Sequence, residues 1–228
     1  MARIVGVVRQ DFGNLNWVLM SNQVESLALQ SAQFLAIKIV ADILRRIETE
    51  LSPVYVYHNL DHSKDVLSEA LRFAIAEGVD QRSIELIAIA AAYHEAGFLI
   101  RAQANEGFAA EMAKNAMQAS GEYSDIEIKL VCQMILDTEL QNIYKGPAQV
   151  ASTELSKYLL DADVANLGRD DFFTKMELIG QESNIERQTL LKQTLQLCRA
   201  HQWQTKIAAE LLEAKKQENM QKLAAMME

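Results

Sequence analysis

The chain has 228 residues, half of them apolar and 23% charged, and a formal net charge of −9. That length can bury a substantial core, while the acidic balance argues against nucleic acid as a general partner. No apolar run reaches the ~20 residues of a membrane span, and no apolar h-region with a small-residue cleavage site opens the chain, so no membrane role and no signal peptide is expected.

Two prolines and nine glycines leave little to interrupt helices, and Ala, Leu, Ile, Glu and Gln abound. The predicted fold class is all-α, a multi-helix bundle in one domain over residues 21–228. Residues 1–20 differ in composition and are read as an N-terminal arm, with Met20 as an alternative start. From Val24 to Leu51 apolar residues recur at helical spacing, and Ser52-Pro53 ends the pattern. Val54–Tyr57 reads as an extended connector and as the one place for a short strand pairing. A second helix is predicted over Asp61–Glu77, stopped by Gly78. A third, capped by Asp80, runs to Ile100, and its segment Ile84–Tyr93 is apolar almost all round, as in a central buried helix. A fourth covers Glu106–Ala119, closed by Gly121, and the capping box Ser124-Asp-Ile-Glu127 starts a fifth. Gly146-Pro147 breaks the chain before a sixth helix over Ala148–Leu160. Asp170 and Asp171 then read as the cap of a helix pair reaching the C-terminus. Cys132 and Cys198, far apart and among apolar helical neighbours, are expected to be buried free thiols in a reducing cytoplasm.

The residues that can carry chemistry are few. Of four histidines, His58 and His62 are spaced i, i+4, and His94 is followed by Glu95 at the polar end of the most apolar helix. Asp161 and Asp163 flank Ala162. Each has an ordinary reading: a hydrogen-bonded core histidine, a chance pair, a charged helix end, a C-terminal turn. Together, two imidazoles and two carboxylates make a mixed N/O set that suits a divalent transition metal and leaves positions open for water. A metal would also remove the cost of burying an ionised Glu95.

The ordered set His62-Ser-Lys-Asp-Val66, Ala-Ala-Tyr-His94-Glu95-Ala-Gly97 and Asp161-Ala-Asp163-Val resembles the three metal-ligand motifs of the HD superfamily of metal-dependent phosphohydrolases. Tyr57-His58-Asn59, Cys132-Gln-Met-Ile135, Leu167-Gly-Arg-Asp-Asp-Phe172 and Ala200-His-Gln-Trp-Gln-Thr205 extend the likeness to one bacterial group of that superfamily, over about Tyr57 to Leu223. The resemblance implies an HD-like helical bundle and metal ligation by His62, His94, Glu95 and Asp163. It further implies a single Mn, Fe, Co, Ni or Zn ion and hydrolysis of a small phosphorylated substrate, a nucleotide or cyclic nucleotide. Glu95 stands where the superfamily has Asp and reaches one methylene further; Asn105, a poor transition-metal ligand, stands where the bacterial group tends to have His, so one metal is expected rather than two. In this reading His58 protonates the leaving oxygen and Asp161 orients a ligand or water. Arg169, His201 and Lys206 are candidates for contacting the substrate, each with a plain structural role as the alternative. The opposing class of function is a nucleotide-binding or regulatory domain without efficient catalysis. A homo-oligomer is left open.

Overall fold

The computed structural model describes residues 33–34, 36–143 and 146–227. The predicted arm, Met20 and the opening of the first predicted helix lie outside the described residues, and that helix is not continuous from Val24, since residues 36–37 turn and Ile37 is extended just before Lys38. Among those described there are nine α-helices: α1 Lys38–Glu50, α2 Leu60–Ala76, α3 Gln81–Tyr93, α4 Asn105–Ser120, α5 Asp125–Leu136, α6 Ser156–Asp163, α7 Phe172–Glu182, α8 Arg187–Ala200 and α9 Lys206–Ala225. The all-α expectation therefore holds at the level of class.

Helix α3 is the axis. Ile84 and every residue from Leu86 to Tyr93 are buried, so from Leu86 onward no face of it is free for water, and α1, α2, α4, α5 and α6 all pack against it. α1 buries Val40, Ile43, Leu44 and Ile47, the i, i+3, i+4, i+7 stripe of an amphipathic helix. Local chemistry sets the ends. Asn59 Oδ1 accepts from the N–H groups of Asp61 and His62 and starts α2. Asp80 does the same for α3. The Ser124/Glu127 capping box starts α5 as read from the sequence. A second, smaller core joins Leu167, Phe172, Met176, Leu190, Leu191, Leu195, Cys198 and Leu223 from the C-terminal helices.

Several details differ from the sequence reading. The third helix stops at Tyr93, and the chain continues through His94 and Glu95 into a 3₁₀ turn, Ala96–Leu99. The one described strand pairing is not near Val54. It is an antiparallel hairpin of Gln141–Ile143 with Gly146–Ala148, in which Pro147 sits at an edge where a missing N–H is tolerated. The sixth helix accordingly begins at Ser156 rather than Ala148. The predicted C-terminal helix pair is three helices, because Asn184 takes a left-handed conformation and Glu186 caps a new start at Arg187; Asp170 and Asp171 do not cap α7 with their side chains, since they are taken by Lys215 and Arg169. Cys198 is buried, whereas Cys132 is half-buried; both are free thiols.

Candidate metal centre

Three elements deliver the central cluster. His62 lies in the first turn of α2, His94 and Glu95 follow the end of α3, and Asp163 ends α6. Each of the four offers one ligand atom, and these atoms all lie within 4.8 Å of one another. His62 Nε2 is 3.5 Å from Glu95 Oε1 and 3.2 Å from Asp163 Oδ1, and His94 Nε2 is 3.2 and 3.5 Å from the same two oxygens. Nitrogens and oxygens thus alternate around a closed ring. Edges of this length are those between neighbouring ligands around an ion with bonds of about 2.0–2.2 Å.

The chemistry of the donors fits a cation. His94 Nδ1–H donates to the Ala91 carbonyl at 2.7 Å, which in the neutral ring turns the Nε2 lone pair toward the carboxylates. His94 Nε2 and Glu95 Oε2 are buried and have no hydrogen-bond partner, an expensive arrangement for the protein by itself. Burial opposes charge on all of these groups. It is outweighed at His94, whose pKa is pushed up to about 10 by Glu95 and Asp163. It is outweighed too at Glu95 and Asp163, whose carboxyls the histidines hold well below the usual range. A cation at the centre of the ring would give these buried ligand atoms the partner they lack. Gln149 Nε2 fixes the far oxygen of Asp163 at 2.5 Å while also donating to the Thr138 carbonyl. The loop that carries Gln149 is tied down by Asp137, whose carboxylate accepts from Ser152 N–H and Oγ.

A cavity of about 580 Å³ opens on the cluster. One end is lined by His58, His62, His94, Glu95, Asp163 and Asn105. Asn105 comes close because Gly97 has no side chain: a Cβ there would lie 1.9 Å from the Asn105 carbonyl oxygen. The other side of the cavity is α7 and α8. Phe172, Met176 and Ile179 on α7 follow i, i+4, i+7, and Leu190, Thr194 and Leu197 on α8 do likewise, so one face of each helix is turned inward. Gly180 allows these two helices to close up, since a Cβ there would meet Leu190 Cδ2 at 2.4 Å.

His58 precedes the α2 cap, so it does not share a helical face with His62 as the i, i+4 spacing suggested. Its ring nevertheless lines the cavity 6.0 Å from that of His62 and stacks on Phe98. Glu182, at the end of α7, holds it. One carboxylate oxygen accepts from the backbone N–H groups of Tyr57 and His58 at 2.8 and 3.1 Å, and the other pairs with His58 Nδ1. Burial alone would lower the His58 pKa, yet the carboxylates of Glu95 and Glu182 raise it.

Four of the sequence candidates are not brought together with the cluster. Asp161 is fully buried, but its carboxylate accepts from the N–H groups of Gln204 and Thr205 and from Thr205 Oγ1. It anchors the start of α9, because successive residues on a helical turn point to different sides. Arg169 makes a two-pronged pair with Asp65 at 2.8 and 2.6 Å and also binds Asp171, so its fork is used up in the fold. Lys206 is exposed and pairs with Glu210. His201 packs edge-on against Trp203 beside a separate small cavity, its Nδ1 without a partner. Glu182 and Gln149 were missed. The first is 124 residues from His58 in sequence, with no motif around it; the second lies just past a Gly-Pro break that gave no hint of the site.

No protein-family model, curated protein or solved structure matches the chain. No helix among the described residues is long and apolar enough to cross a membrane.

Proposed function

We propose that the protein is a metal-dependent phosphohydrolase acting on a small phosphoester. The observation that carries this reading is the ring of His62, His94, Glu95 and Asp163, with two buried donor atoms left unpartnered, at one end of a cavity. The ordered likeness of the motifs to HD phosphohydrolases supplies the reaction type.

His62, His94, Glu95 and Asp163 would hold one divalent transition metal. When bound, such an ion supplies Lewis acidity toward a phosphoryl oxygen and lowers the pKa of water. The chain's own part is positional and protonic. Hydrolysis forms one P–O bond from water and breaks the ester P–O bond, so the leaving oxygen needs a proton. Glu182 takes up His58 Nδ1 and favours the protonated ring, while Nε2 has no hydrogen-bond partner among the described residues. His58, which lines the cavity, is therefore suited to donate from Nε2 to the departing alkoxide and to recover a proton from solvent afterwards. Asn105 and Gln149 line the same cavity as hydrogen-bonding groups. Arg169, His201 and Lys206 lie outside the lining of this cavity, and this reading gives them no role.

One observation favours a second reading, a binding domain without efficient catalysis: Asn105, a poor transition-metal ligand, lies beside the cluster. A panel of phosphomonoesters and diesters, offered to protein loaded in turn with Mn, Fe, Co, Ni and Zn, separates the two. Turnover that His58→Ala diminishes supports the hydrolase. No turnover with any metal supports the binding domain.

A further inference from the structure

The lining of the cavity is chemically lopsided. Among the described residues that line it there is no lysine and no arginine, and its acidic groups are Glu95, Glu106 and Asp163. Glu106 is half-buried and its carboxyl is pushed up, by burial above all. Beyond the cluster, the lining residues from Val164 to Leu197 form a wall that is apolar except for Asn166, Gln193, Thr194 and Gln196. Val164 and Leu167 follow Asp163 in the chain, and Phe172, Met176, Ile179 and Leu190 face them from α7 and α8. Phe172, Met176, Leu167 and Leu190 belong at the same time to the C-terminal core, so the wall is a packed part of the fold rather than a few adaptable side chains on a surface loop. A nucleoside polyphosphate brings several negative charges beyond the one a metal would meet, and apart from the histidines of the site no described lining residue is a cation that could balance them. A volume of about 580 Å³ falls within the range of sites that enclose a small organic ligand.

We propose that the substrate is a phosphoester of an apolar alcohol. Its phosphoryl group sits at the His62/His94/Glu95/Asp163 cluster and its hydrocarbon portion lies against Val164, Leu167, Met176 and Ile179. This rests on the phosphohydrolase reading for the head group; the apolar chamber stands on the lining alone. Glutamines and Thr194 on α8 give the chamber a hydrogen-bonding side, which accommodates a single ether, ester or hydroxyl group in the tail. Transfer of hydrocarbon from water into such a wall strengthens binding by about fourfold for each methylene fully buried, and about twofold when burial is partial.

The test uses Mn-loaded full-length protein and two readouts. Calorimetric titration with ethyl-, hexyl- and octylphosphonate, which resist hydrolysis, is expected to give affinities rising about two- to fourfold per methylene. ATP is expected to bind more weakly than octylphosphonate. Release of inorganic phosphate from the matching alkyl phosphates should rise in kcat/KM along the same series. Ile179→Gln should flatten both slopes, and the wild-type series decides the matter should that variant not fold. Affinity that does not depend on chain length, or ATP binding tighter than octylphosphonate, overturns the apolar-tail proposal. Hydrolysis of nucleotides alongside a flat alkyl series would overturn it while sparing the hydrolase. Length-dependent phosphonate binding without turnover of any alkyl phosphate would uphold the chamber and remove the hydrolase.

Discussion

Replacing Glu182 with Gln tests whether α7 holds a proton donor for the reaction or merely closes the fold. The carboxylate serves three donors: the N–H of Tyr57 at 2.8 Å, the N–H of His58 at 3.1 Å and His58 Nδ1. Gln keeps the shape and one acceptor oxygen but loses the charge. A hydrogen bond to a charged group is worth about 1.5–3 kcal/mol. With the His58 side chain 28% exposed and Glu182 9%, Glu182→Gln should cost about 1–2 kcal/mol, or about 2–8 °C in melting temperature for a chain of this size. The cost has a pH signature. Because the folded His58 pKa is raised above its ordinary 6.5, the pair's contribution is fully present below about pH 6.5 and is lost as pH rises through the folded value. The difference in melting temperature between wild type and variant should therefore shrink in alkaline buffer. In activity, the variant should slow an alkyl phosphate by about tenfold and His58→Ala by about a hundredfold, while nitrophenyl phosphate, whose leaving group needs little protonation, is scarcely affected. Equal losses on both substrates, or a stability cost that does not change with pH, would refute the assignment of Glu182 and His58 as a proton-donating pair.

Gly97→Ala should destabilise by about 3 kcal/mol or more, because the new Cβ would meet the backbone of Asn105 rather than a side chain that can yield. Gly107→Ala, where nothing lies within 4 Å, should instead gain about 0.5–1 kcal/mol; thermal melts of the pair check both. Arg169→Gln should cost about 1–3 kcal/mol by leaving Asp65 without its partner, yet leave KM for a phosphoester unchanged, and a raised KM would return Arg169 to the substrate. His201 should be a source of acid instability: burial, with Lys216 adding to it, pushes its pKa down to about 3. Its folded value lies below the unfolded one, so the unfolded chain binds the extra proton and stability falls as pH drops below about 6.5, with a slope approaching 1.4 kcal/mol per pH unit. Denaturant melts of His201→Gln between neutral and mildly acid pH should show a shallower decline than wild type.

The helices were legible because their signals are local. The stripe of α1, the apolar run of α3 and the caps at Asp80 and Ser124 each lie within a few residues of what they determine. The cluster was legible for a different reason: histidines are scarce here, and buried carboxylates beside them are costly unless paired. What failed were inferences about direction. Arg169, Lys206 and His201 have the chemistry to hold a phosphate, but a side chain's partner depends on packing, and Asp65, Glu210 and Trp203 claimed them first. Asp161 is only two residues from Asp163, yet a helix turns it to the opposite side, where the start of α9 needs an acceptor. The short hairpin before Ala148 also escaped, because three-residue strands carry no readable alternation. Glu182 and the apolar wall of α7 and α8 come into the site only through the tertiary fold.

The claim on which the rest depends is that His62, His94, Glu95 and Asp163 hold one cation. Equilibrium dialysis with Mn, Fe, Co, Ni and Zn, read by elemental analysis of the wild type and of His94→Ala, addresses it most directly. Close to one ion per chain is expected for at least one of these metals. A bound ion at a hundred times its Kd would also raise stability by about 2.7 kcal/mol, and both effects should vanish in His94→Ala while that variant remains folded. Wild-type protein that takes up none of the five metals, or a His94→Ala variant that binds as well as wild type, would contradict it.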